Sequence, residues 1–107
     1  MATGRLATTT IAVINTNQTA YTVPTGFYSV FNVSYTNTGS TAITIKLAIA
    51  TAATPATSEY IESQTTIVPY GVFERTGLVA NAGLNVVVQA SSLNCNVNIY
   101  GIETSTS

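Results

Sequence analysis

The sequence predicts an all-β protein, a single-domain antiparallel β-sandwich of about eight strands. Three observations carry this prediction. Apolar and polar residues alternate with period two along most of the chain. β-branched and aromatic residues fill the alternating runs, and these fit a pleated, packed surface. Turn residues recur between the runs at a spacing of about 10–12 residues, as in sandwiches and small barrels.

Taken in order, the strands are expected over 6–14, 18–23, 27–37, 42–50, 59–67, 72–79, 84–91 and 95–102. The first segment, MATGRLATTTIAVI, has one Arg before a semi-apolar run. Thr8, Thr9 and Thr10 interrupt that run and no small-residue cleavage site follows, so it reads as a strand and not as a secretory leader. Pro24-Thr25-Gly26 reads as a turn, because Pro presets φ and Gly supplies φ > 0. In 27–37, Phe27, Phe31, Val33 and Tyr35 share one face, opposite Tyr28, Val30, Asn32, Ser34 and Thr36. Asn37-Thr38-Gly39-Ser40 has the chemistry of a hairpin turn. In 42–50, Ile43, Ile45, Leu47 and Ile49 alternate with Thr44, Lys46 and Ala48. AATPATS (52–58) is the longest soft stretch and reads as a loop, with a helical turn in the Ala-rich run 48–56 as the alternative. Pro69-Tyr70-Gly71 and Asn81-Ala82-Gly83 are further turns, and Ser91 to Asn94 is expected to close a last hairpin. In 95–102, Cys95, Val97, Ile99 and Gly101 oppose Asn96, Asn98, Tyr100 and Ile102. Residues 103–107 (ETSTS) read as a frayed, solvated tail. No linker and no tandem repeat divides the chain, so 1–107 is expected to be one domain.

Composition narrows the function. Of 107 residues, 7 % are charged, against about 25 % in a typical soluble domain. The charges are Arg5, Lys46, Arg75, Glu59, Glu62, Glu74 and Glu103, and the net charge is −1. Thr, Ser and Asn supply 38 residues. With no His, the commonest general base and metal ligand is missing. The single Cys95 makes neither an internal disulfide nor a thiolate cluster. Three scattered cations cannot neutralise a run of phosphates, which argues against nucleic acid. No apolar run approaches the ~18 residues that suggest a membrane helix. No cofactor and no metal are expected. Surfaces of short hydroxyl and amide side chains lose little rotamer entropy when covered, which suits a subunit that lives in an assembly.

The candidate chemistry is thin. Glu59 and Glu62 are the closest carboxylates, and a hydrolase built on them is the reading of a different class. On a strand they point to opposite faces, so rim charges are the expectation. Glu74 and Arg75 also point apart, with Arg75 expected to pair with Glu59 or Glu62 within a subunit or between subunits. Cys95 falls on the apolar side of its strand and reads as a small hydrophobe, because no base is present to activate it. Asn96 and Asn98 make a neutral outward ladder. Tyr28, Tyr70 and Tyr100 are expected to face outward and, with Glu74 and Arg75, are the candidate interface residues. The chain is not expected to be an enzyme.

An ordered set of segments then carries a resemblance. After a short first strand come TAYTVPTGFYSVFNVSYTNTGSTAITIKLAIA (19–50), SEYIES (58–63), GVFERTGLVANAGLNVVVQASS (71–92) and NVNIYGIE (96–103). Together they resemble a family of small β-rich virion structural proteins of tailed bacteriophages, cyanophages among them. The departures are Ser58-Glu59 where an acidic residue is common and Phe73 where Leu is common. The resemblance implies an Ig-like or jelly-roll-like sandwich acting as a capsid decoration or cement protein located in the virion. Its expected partners are sister copies, in a trimer, and the major capsid protein or other virion proteins. A tail, baseplate or fibre module binding a host-surface glycan is the alternative. It implies no catalytic residue.

Overall fold

A computed structural model describes residues 3–106 as two four-stranded antiparallel sheets packed face to face. Its strands are β1 (Thr3–Thr10), β2 (Gln18–Thr22), β3 (Phe27–Asn37), β4 (Ile43–Ala50), β5 (Tyr60–Ile67), β6 (Val72–Asn81), β7 (Asn85–Ala90) and β8 (Cys95–Ser105). A 3₁₀ turn at Thr57–Glu59 precedes β5. One sheet has the order β1-β8-β3-β6 and the other β2-β7-β4-β5. Among consecutive strands, only β4 and β5 are neighbours in one sheet, and every other connection crosses between sheets. That order is the eight-stranded jelly roll and not the Ig-like arrangement.

The topology corrects two turn readings. Asn37 to Ser40 and Ser91 to Asn94 do not close hairpins, because β3 and β4, like β7 and β8, lie in opposite sheets. The first strand begins earlier and ends earlier than expected, since beyond Ile11 the chain leaves its sheet to reach β2. The frayed tail is also corrected. β8 continues through Ser105, pairing Ser29 with Glu103 and Phe27 with Ser105, and Thr106 donates its N–H to the Gly26 carbonyl. Ser107 lies outside the described residues.

Period two does place the core. Phe31, Val33 and Tyr35 of β3, Ile43, Ile45 and Leu47 of β4, Val86 and Val88 of β7, and Val97 and Ile99 of β8 meet between the sheets. Tyr35 spans the gap and donates its hydroxyl to the Lys46 carbonyl at 3.0 Å. That carbonyl lies where the β4–β5 ladder shifts register between Ile45 and Leu47. At Gly101 the neighbouring strand passes so close that a Cβ would lie 2.1 Å from the Val30 carbonyl oxygen.

Both open sides of the sandwich are clasped by side chains. On one side the Gln18 amide donates to Thr9 Oγ1 (2.8 Å) and accepts from the Ala12 N–H (3.0 Å). On the other, Arg75 of β6 is ion-paired with Glu62 of β5, which also accepts from Thr65 Oγ1 at 2.6 Å. Such clasps join edge strands that otherwise offer unpaired backbone.

Four connections gather at one end of the sandwich: 11–17, 38–42, 68–71 and 91–94. Backbone hydrogen bonds tie them together, Thr38 to Asn94, Tyr70 to Gly39 and Asn15 to Ala90. The buried Asn37 side chain fixes this end. Its Nδ2 donates to the carbonyls of Thr41 (2.8 Å), Val68 (3.1 Å) and Ile67 (3.3 Å), and its Oδ1 accepts from Gly39 N–H (3.0 Å).

Candidate functional site

Two kinds of surface stand out on this frame: apolar regions that nothing in the chain covers, and a polar pocket.

The loop end carries one apolar region. Val13 and Ile14 on 11–17, Val68 and Tyr70 on 68–71, Leu93 on 91–94 and Val72 at the start of β6 are 47–71 % exposed. Tyr70 is the most exposed of them and has a left-handed backbone, φ 57°. The Val68–Gly71 turn is closed by the Gly71 N–H donating to the Val68 carbonyl at 2.9 Å, and its third position normally takes Gly. A tyrosine held there costs about 1–2 kcal/mol in backbone strain, a cost that Gly would avoid.

A second apolar region lies on the outer face of the β1-β8-β3-β6 sheet. Val79, Val30 and Ile102 are ladder neighbours across β6, β3 and β8, and they are 37–61 % exposed. Tyr28 and the half-buried Tyr100 belong to the same face. Glu74 stands on it opposite Ser34. Of the five residues singled out from the sequence, three are therefore together on one sheet face. Tyr70 is at the loop end, and Arg75 turns to the sandwich side to meet Glu62.

The polar pocket lies on the outer face of the other sheet. It has a volume of about 460 Å³ and is lined by Asn15, Thr44, Lys46, Gln64, Gln89, Ala90 and Ser91. Lys46 faces Gln89 across the β4–β7 ladder, and on its other side Gln64 sits at the register shift of β5. Two residues further along the strands, the Thr44 N–H donates to Ser91 Oγ at 2.9 Å and the Ser91 N–H donates to the Thr44 carbonyl. Asn15 closes the rim with a left-handed backbone (φ 53°), which Asn tolerates. The Lys46 ammonium lies 5.9 Å from the centre of the Tyr60 ring, whose hydroxyl donates to Asn17. Beside the pocket, Tyr60 packs against a small apolar cluster of Ala48, Ala50 and Val87, and residues 51–59 form the loop that leads into it. Glu59 anchors this loop by accepting from the N–H groups of Thr51 and Ala56.

Each acid weighed for catalysis thus has a structural partner. Glu59 holds its loop and Glu62 clasps the sheets. Cys95 is fully buried, and burial pushes its thiol up to about 11. Glu103 is buried beneath Tyr21, whose hydroxyl bonds both Glu103 and Ser29 (2.7 Å). Burial, with the Glu103 bond, pushes Tyr21 up to about 12. Among the described residues, no three acids or thiols group as a metal site would require.

Sequence reading missed the pocket, because its residues come from four separate segments. One signal was present: the only lysine of the chain occupies an outward position among neutral residues, and two of its three glutamines are its neighbours. Compared with protein-family models, curated proteins and solved structures, the chain matches none.

Proposed function

We propose that this chain is a non-enzymatic structural subunit that self-associates and coats a larger particle, in the manner of a virion decoration protein. The observation that carries the reading is the pair of exposed apolar regions, one at the loop end and one on a sheet face. Soluble monomers seldom leave contiguous apolar surface uncovered, and such patches mark interaction sites. Two separate regions suit two kinds of neighbour. The Val79–Val30–Ile102 row fits a sister copy, and the loop end, with its strained Tyr70, fits the particle beneath. Low charge favours this reading, since neutral faces carry little desolvation cost when buried. Weak contacts repeated over a lattice then add through multivalency. The sequence resemblance to phage virion proteins lends the particle its identity, a capsid built of many major capsid subunits.

The test has two arms. Light scattering should give a mass above that of one chain, a trimer in the favoured case, and Val79→Glu should return it to the monomer. Quantitative mass spectrometry of purified virions should find the protein in many copies. Val68→Ser with Tyr70→Ser should keep the oligomer and lose particle binding. A stable monomer that is absent from virions refutes the reading.

A further inference from the structure

We propose that the pocket on the outer face of the β2-β7-β4-β5 sheet binds a carboxylate-bearing sugar residue, with Lys46 taking the carboxylate. This inference concerns a different surface from the assembly contacts above and stands independently of them.

The lining chooses among ligand classes. Ala90 is the one apolar residue of the lining and is itself 1 % exposed, so a hydrophobic ligand finds no matching wall. The amides of Asn15, Gln64 and Gln89 and the hydroxyls of Thr44 and Ser91 offer donors and acceptors side by side. Sugar hydroxyls likewise donate and accept at one atom, and neighbouring hydroxyls of a pyranose match an amide that does both. A phosphate only accepts, and here it would meet amide carbonyls and a single cation. Two phosphate charges would find one ammonium, while one carboxylate finds its complement.

The geometry is that of a prepared site. Lys46 and Gln89 are paired across two hydrogen-bonded strands, and Gln64 stands beside Lys46 at the bulge of the third, so the backbone sets the spacing of the three stems. Among the described residues, the side-chain amides of Gln64 and Gln89 make no hydrogen bond, and no carboxylate lines the pocket to neutralise Lys46. The Tyr60 ring holds the ammonium by cation–π attraction and acts as a positioning residue. A volume of about 460 Å³ falls within the usual range for small-ligand sites.

The test is an amide-resolved NMR titration of the full chain. The probes are glucuronate, galacturonate and N-acetylneuraminate, each beside its neutral methyl ester, together with acetate and tri-glutamate. At least one acidic sugar should perturb Lys46, Gln64, Gln89 and Ser91 saturably. Its ester should bind about tenfold more weakly, and acetate should not saturate the site over the same range. Lys46→Met should lower the acidic sugar to the level of its ester with an unchanged melting temperature, and Gln89→Ala should weaken sugar and ester alike. Four results overturn the proposal. They are no saturable shift with any acidic sugar, shifts centred on Tyr28 and Tyr100, saturation by acetate or tri-glutamate equal to the best sugar, and full affinity in Lys46→Met.

Discussion

At Asn37, one side chain closes four hydrogen bonds to two stretches of chain, Gly39 with Thr41 and Ile67 with Val68, and all of them are lost together in Asn37→Ala. We expect a loss of about 2 kcal/mol by urea unfolding, because the buried Ile67 carbonyl and the part-buried carbonyls of Thr41 and Val68 lose their donor together. Gly101 and Gly26 separate two reasons for glycine. A side chain at Gly101 collides with β3 backbone, whereas Gly26 has open space and φ 84°. Gly101→Ala should therefore cost about 3 kcal/mol through overpacking, and Gly26→Ala about 1 kcal/mol through backbone strain alone. Tyr70→Gly should run the other way, raising stability by up to about 1 kcal/mol while weakening particle attachment. Alkali tests the buried phenol and thiol. Tyr21 and Cys95 hold their protons more tightly folded than unfolded. Their contribution is complete below the ordinary values of 9.0 for the thiol and 10.0 for the phenol, and is lost as pH rises towards 12. Urea midpoints stepped upward from neutrality should fall over that window, and Tyr21→Phe should flatten part of the fall. Thiol reagents should label Cys95 only after unfolding.

Among the elements, the loop before β5 and the clasp between β5 and β6 are each held by a carboxylate. Glu59→Gln leaves two backbone N–H groups with a weaker acceptor and should cost about 1 kcal/mol. Proteolysis should then find the 51–59 segment faster, because the carboxylate that ties Thr51 and Ala56 to Glu59 is weakened. Arg75→Met breaks a pair that is partly open to solvent and should cost about 1 kcal/mol. Strand faces were legible in the sequence: Phe31, Val33 and Tyr35 point inward as their alternation required. Following that alternation beyond Gly101 would also have turned Glu103 inward, but the polar letters of ETSTS masked it. Pairing was not legible. Asn37 to Ser40 has the residues of a tight turn whether the chain returns to its own sheet or crosses to the other. The choice is made by strands far away in sequence, such as β8 inserting beside β3. The pocket was hidden for the same reason, since Gln64 and Gln89 become neighbours of Lys46 only once β5 and β7 flank β4.

For the whole molecule, scarcity of charge sets the expected response to salt. Association through the apolar regions should change little between low and high ionic strength, which sedimentation at several salt concentrations would measure. An association that weakened steeply with salt would point to Arg5, Glu74 or Arg75 as its source. The ladder between β1 and β8 has a different consequence, concerning synthesis. The C-terminal strand is an inner strand of its sheet, seated between β1 and β3. Until β8 has left the ribosome, β1 has no partner in its sheet and one edge of β3 stays unpaired. Nascent chains stalled before Cys95 should accordingly be cut by protease along their whole length, and those stalled well beyond Ser105 should resist.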